Sequence, residues 1–143
     1  MSIDRISWPM DAAVQKAFAA LPPSASKILL QVRERILAQS TANATIGPVT
    51  ETLKWGQPSY LTEKTQAGST LRLSTTKEDQ KPAIFVHCQS GLADEIRDLY
   101  GDTLSVPDQR HVVLPHMMED HAQTIDHVIA LVLTHHARKR SKH

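Results

Sequence analysis

Cysteine is nearly absent from this sequence, with one thiol, Cys88, in 143 residues. A lone thiol cannot close an internal disulfide, so a disulfide-stapled scaffold is excluded and a reducing, cytoplasmic setting is expected. Glycine is scarce too, at five residues. None falls into the G-x-G-x-x-G or G-x-x-x-x-G-K-[ST] pattern, so no phosphate-cradling nucleotide loop is expected. The longest apolar run, Val128 to Leu133, is six residues, far below the roughly 20 that a membrane helix needs. The opening Met1-Ser2-Ile3-Asp4-Arg5 is unlike a secretory signal. Aromatic residues make up only 4% of the chain and are scattered, whereas a nucleic-acid surface interleaves them with basic residues. The basic residues do cluster once, as Arg138, Lys139, Arg140 and Lys142. These read as a solvated helix end whose cations suit the helix dipole, and no nucleic-acid partner is expected. They outweigh the whole net charge of +1, so the remaining body is acidic.

What is present is an ordinary globular balance, 41% hydrophobic and 22% charged, over a length that fits one domain. A single domain, 1–143, with a basic tail at 138–143 is expected. Asp11 to Leu21 reads as a first helix, with Val14, Phe18 and Leu21 at helical spacing and several alanines between them. Pro22-Pro23 stops it, and Ser24 is placed to cap a second helix. Ile28, Leu29, Val32 and Ile36 form the apolar face of that helix, with Arg33, Glu34 and Gln39 away from its centre. Residues 40 to 46 are small and polar, as in a loop.

Strands are expected at Ser59-Tyr60-Leu61, Thr70 to Ser74, Ala83 to Cys88, Thr103 to Val106 and Arg110 to Leu114. Thr62 to Ser69 reads as a hairpin loop, and Lys77 to Pro82 as a charged turn. Ala83 to Cys88 is apolar on both faces and belongs in a sheet interior, which makes Cys88 a buried small hydrophobe. Gly91 to Tyr100 is helical, with Leu92, Ile96 and Leu99 inward. A last helix runs from about Glu119 to Ala137, burying Ile125, Val128, Ile129 and Val132 together with Leu133 or His136. The fold class is therefore α+β, an antiparallel sheet of about five strands packed with helices.

Residues 47 to 60 join the helical part of the chain to the sheet. Pro48 suits the first position of a helix, Val49 and Leu53 lie one turn apart, and Gly56 is free to take a positive φ. A helix of about two turns is expected, with Trp55 buried where it meets the sheet. Pro58 pushes Gln57 into an extended conformation. Lys54, Trp55, Gln57, Ser59 and Tyr60, approached by Arg72 and Arg110 on the sheet, form the candidate ligand-binding set. Amphipathic aromatics beside arginines suit a small anionic molecule or a protein partner. On this reading Tyr60 and Arg72 line a common cleft. The same residues also read as a corner, with Trp55 and Tyr60 filling space and the basic groups bonding loop carbonyls.

The run Glu51-Thr52-Leu53-Lys54-Trp55-Gly56-Gln57-Pro58-Ser59-Tyr60 resembles the signature of YdhG-like domains, a family of unknown function. The resemblance continues through Ser69 to Leu73, Phe85 to Cys88, Ile96 to Tyr100 and Arg110 to Leu114, and so covers most of the chain. It implies a small α+β domain related in architecture to frataxin-like proteins, with no settled catalytic residues. That architecture brings in iron binding and delivery as an alternative role. Frataxins associate iron with an acidic helical ridge, and the first helix here carries only Asp11 as an acid.

Catalytic parts are not visible in the sequence, and no enzyme activity or cofactor is expected. His87 and Cys88 are neighbours on an expected strand, so they point to opposite faces and cannot act as a thiol and its base. Ser59 lacks the G-x-S-x-G setting of a nucleophile elbow. Of the eight histidines, His116, His121, His127, His135 and His136 show no pair three or four residues apart, the spacing a helical metal site needs. No metal is expected, although a site assembled through the fold from His111 and His116 stays open.

Overall fold

A computed structural model describes residues 8 to 141. The opening residues Met1 to Arg5 and the tail residues Lys142 and His143 therefore lie outside the described part. Two helices come first, α1 (Ala12–Ala19) and α2 (Pro23–Ala42). Pro22-Pro23 separates them as expected, but Ser24 is not the cap. Pro23 itself is the first residue of α2, where its missing N–H and fixed φ cost nothing. The Ser26 hydroxyl donates to the Phe18 carbonyl at 2.9 Å and ties the two helices at their junction.

Five strands follow: β1 (Thr50–Lys54), β2 (Gln57–Leu61), β3 (Leu71–Thr75), β4 (Pro82–Phe85) and β5 (His111–Val113). They form one antiparallel sheet in chain order, β1-β2-β3-β4-β5. Between β4 and β5 the chain makes α3 (Leu92–Tyr100), and it ends in a short 3-10 turn (Met118–Asp120), α4 (Ala122–Leu133) and α5 (His135–Arg140). The α+β class with an antiparallel five-stranded sheet is thus the fold.

The core lies on one side of the sheet. Tyr60, Leu71, Leu73, Ile84 and Val112 are wholly buried there. Leu29, Val32 and Ile36 of α2 and Ile125, Val128, Ile129 and Val132 of α4 join them in one apolar cluster. Burying a side chain of this size stabilises by about 1.5–3 kcal/mol, so this layer holds the fold together. The opposite sheet face carries no helix among the described residues, and Thr52, Arg72, Phe85 and His111 on it are partly exposed.

Several expectations are corrected. The two-turn helix over 48–55 is instead β1, which pairs with β2 from Thr50↔Leu61 to Lys54↔Gln57. Val49 and Leu53 are four residues apart, a spacing that fits one face of a strand as well as one face of a helix. Trp55 and Gly56 form the two-residue turn between the strands, with φ of 58° and 74°, the left-handed pair that such a hairpin requires. Trp55 is therefore not buried at a corner but 88% exposed at a hairpin tip. The strand expected at Ala83 to Cys88 stops at Phe85, leaving Cys88 exposed. Of the pair Thr103–Val106 and Arg110–Leu114, only β5 is a strand, and Ser105 makes one isolated bridge to Val113. Leu99 is 54% exposed. The last helix breaks at Thr134, whose hydroxyl turns back to the Ala130 carbonyl, and the break buries Leu133 and His135 while His136 stays exposed. Arg138 is no free tail residue. Its guanidinium clamps Glu95 at 2.7 Å and the Leu131 carbonyl at 2.6 Å.

Candidate functional site

The hairpin register decides where each candidate residue goes. Residues paired across antiparallel strands share a face. Lys54↔Gln57, Thr52↔Ser59↔Arg72, and Arg72↔Phe85↔His111 therefore place Lys54, Gln57, Ser59, Arg72, Phe85 and His111 on the helix-free face. Tyr60 pairs with Leu71 and is turned to the core. The expected cleft shared by Tyr60 and Arg72 does not form, because the sheet lies between them.

On the helix side, Tyr60 belongs to a buried polar cluster. Its hydroxyl donates to Glu51 at 2.7 Å. The Arg33 guanidinium meets the same carboxylate at 2.5 and 3.0 Å and also donates to the carbonyls of Trp8 and Pro9. Arg33 is 1% exposed, not directed away from the core as its helical position implied. Burial works to lower its pKa, but the bonded, negatively charged Glu51 outweighs this and holds it above the ordinary value. Burial first, then the Glu51 carboxylate, push the Tyr60 phenol far above its usual range. These groups are saturated with partners, and the cluster serves to fix β1 and the incoming N-terminal segment to α2.

The helix-free face is different in character. Ser59 is its fully buried floor, the hydroxyl donating to the Gln57 carbonyl at 2.9 Å. Above it, Arg72 donates to the Gln57 side-chain oxygen at 2.8 Å and lies 5.9 Å from the Phe85 ring centre, within cation–π range. Phe85 stacks on His111 at 5.1 Å with 22° between the planes. The His111 Nδ1 lies 3.0 Å from Asp108, which also accepts the backbone N–H groups of Arg110 and His111. Burial opposes ionisation of Asp108, but those N–H groups and the His111 side chain keep its carboxyl below the usual range.

Arg72 has no carboxylate partner among the described residues, and neither has Arg110. Partial burial, and then the like charge of Arg110, hold the Arg72 guanidinium below its ordinary pKa. The face thus presents Arg72, without a carboxylate partner among the described residues, beside a stacked aromatic pair, with the charge of Arg110 near enough to act on it.

Of the seven residues expected at the site, this face gathers Gln57, Ser59 and Arg72, with Arg110 near enough to act on Arg72 and Lys54 at the margin. Trp55 stands beyond it at the hairpin tip, and Tyr60 lies beneath the sheet. Phe85, His111 and Asp108 were missed. Phe85 had a signal in its alternation with Ile84 and Val86, but only the register shows that it meets Arg72 and His111.

A hollow of the described surface lies elsewhere, between α3 and α5 beside Glu95, His135 and Arg138. No group of three or more His, Cys, Asp and Glu side chains suited to a metal occurs among the described residues; His111 is engaged with Phe85 and Asp108. No helix among them is long and apolar enough to cross a membrane. Comparison of the chain with family models, with curated proteins and with solved structures finds no match.

Proposed function

We propose that the chain is a YdhG-like, non-catalytic binding module of the cytoplasm that takes an anionic group, on a small molecule or on a protein partner, at the helix-free sheet face. The observation that carries this reading is Arg72, which lies 5.9 Å from the Phe85 ring centre on the helix-free face and has no carboxylate partner among the described residues. A half-buried guanidinium without a carboxylate lacks a counter-charge, and an anion placed on it supplies one while Arg72 offers it a planar fork of donors. Phe85 and His111 give the same ligand a flat apolar flank. The surface is open and not a cleft, which suits an anionic group presented at a surface more than a small molecule enclosed on all sides. The single exposed thiol accords with a reducing compartment, and the Glu51 to Tyr60 motif supports the family assignment. The iron-delivery alternative has no gathered donors among the described residues to support it.

Titration calorimetry and thermal shift with inorganic phosphate and with di- and tricarboxylates test the proposal. A binding anion raises the melting temperature as RT ln(1 + [L]/Kd). Arg72→Gln and Arg110→Gln should each abolish the rise while leaving the circular dichroism spectrum unchanged. Equal binding by the Arg72→Gln protein, or no stabilisation by any anion, would sink it.

A further inference from the structure

We propose that β1 is a self-association edge, through which two copies of this chain pair antiparallel about a two-fold axis at Thr52 and join their sheets into one. The inference does not depend on the anion-binding reading, since it concerns the sheet edge and not its face.

Among the described residues β1 is the terminal strand of the sheet. In a two-residue hairpin the closing pair Lys54↔Gln57 exchanges backbone bonds, and the alternation of the ladder then assigns bonds to Thr52↔Ser59 and Thr50↔Leu61. The N–H and C=O groups of Glu51 and Leu53 consequently point outward. They find no backbone partner among the described residues. Natural edge strands of this kind are guarded by a proline, a bulge or an inward-pointing charge. β1 has neither proline nor bulge along its five residues, and its inward charge, Glu51, is already neutralised by Arg33.

The strand is complementary to itself. A two-fold at Thr52 sets Glu51 opposite Leu53 of the second copy, so the four outward-pointing groups on each chain meet their counterparts with correct polarity. Thr50 then lies opposite Lys54. The Thr50 hydroxyl donates to Glu63 at 2.9 Å, so the incoming Lys54 ammonium arrives beside a carboxylate that has no cationic partner among the described residues. One step further out, Trp55 reaches Pro48 and the partly buried Val49 of the other copy. This gives a use for an indole that is 88% exposed and held at φ 58°, a conformation disfavoured for a bulky residue. Because the axis is perpendicular to the sheet, the two helix-free faces would lie side by side, with both copies of Arg72 presented to the same side.

The test is the mass of the full chain in solution, measured by sedimentation equilibrium from low to high micromolar concentration. The expected result is a monomer that becomes a dimer as concentration rises. Thr52→Lys puts two like charges directly opposite each other at the axis and should keep the protein monomeric. Lys54→Glu should raise the dissociation constant about tenfold through two lost ion pairs and two new repulsions, and adding Glu63→Lys should restore it. Circular dichroism of each variant checks that the fold persists. A wild-type protein that stays monomeric throughout, a Thr52→Lys protein that dimerises equally, or a reversed charge pair that fails to restore association overturns the proposal.

Discussion

At the scale of single residues, Trp55 and Arg33 exchange the roles their types imply. A tryptophan is an anchor for a core, yet here it occupies the first turn position of a hairpin, where the left-handed backbone favours asparagine or glycine. Trp55→Ala should therefore cost less than about 1 kcal/mol in urea unfolding of dilute protein, not the roughly 3–5 kcal/mol of a large core truncation. A larger loss would place the indole against the core. Arg33, by contrast, sits among wholly buried neighbours and satisfies Glu51 together with two N-terminal carbonyls. Removing one member of a buried ion pair leaves the other charged and unpaired, so Arg33→Ala should cost about 3–5 kcal/mol. Arg33→Met with Glu51→Gln, measured by the same denaturation, should recover part of that loss, because the introduced amide oxygen can still accept from the Tyr60 hydroxyl at far less desolvation cost. If the double variant is less stable than Arg33→Ala, the burial cost is not what the single variant reports.

At the scale of elements, the helices were legible and the first hairpin was not, for a physical reason. In α1, α2, α3 and α4 the apolar residues recur at mixed spacings of three and four, a pattern no strand can place on one face; α1 and α3 follow the expected spans closely, whereas the helix expected from about Glu119 to Ala137 is split at Thr134 into α4 and α5. In residues 48 to 55 the apolar Val49, Leu53 and Trp55 fall at even spacings, Val49 and Leu53 suit either element, and Pro48 tilts the balance toward a helix. The decisive signal was the glycine after Trp55, hidden because the residue before it is neither asparagine nor aspartate. The loop between β2 and β3 shows a similar limit. Its polar residues mark it as a hairpin loop, but nothing in its sequence tells that it docks on the α4–α5 junction, where the Ser69 N–H donates to the Val132 carbonyl and the Ala137 N–H to the Ala67 carbonyl. Gly68 makes that approach tolerable, since a Cβ there would stand 2.4 Å from the Leu133 Cα. Gly68→Ala should destabilise by about 1–3 kcal/mol, the range for overpacking, and should raise hydrogen exchange at Ser69 and Ala137. An unchanged melting temperature would mean that the loop lifts away freely.

At the scale of the whole molecule, one helical layer covers one face of a five-stranded sheet, and the candidate site lies on the face left over. The composition pointed to Lys54, Gln57, Ser59, Arg72 and Arg110, but which of them share a side follows from register, a long-range property that local pattern does not carry. The same layering makes stability depend on pH through His135, which is buried where α5 meets α3 and α4. Burial first, and then the cations of Lys139, His136 and Arg138, hold its pKa below the ordinary 6.5, against a smaller opposing pull from Glu95. The sign follows directly. Above pH 6.5 the ring is neutral in both states, and its burial carries no ionisation penalty. As pH falls through 6.5 the unfolded chain takes up a proton that the folded chain refuses, so the stability is lost progressively down to the folded pKa. Urea midpoints measured at intervals between about pH 7.5 and pH 5 should decline for the wild type, and the decline should be shallower for His135→Gln, which cannot take up the proton in either state. Parallel curves for the two proteins would show that His135 ionises as readily folded as unfolded, and hence that water reaches the junction of α3, α4 and α5.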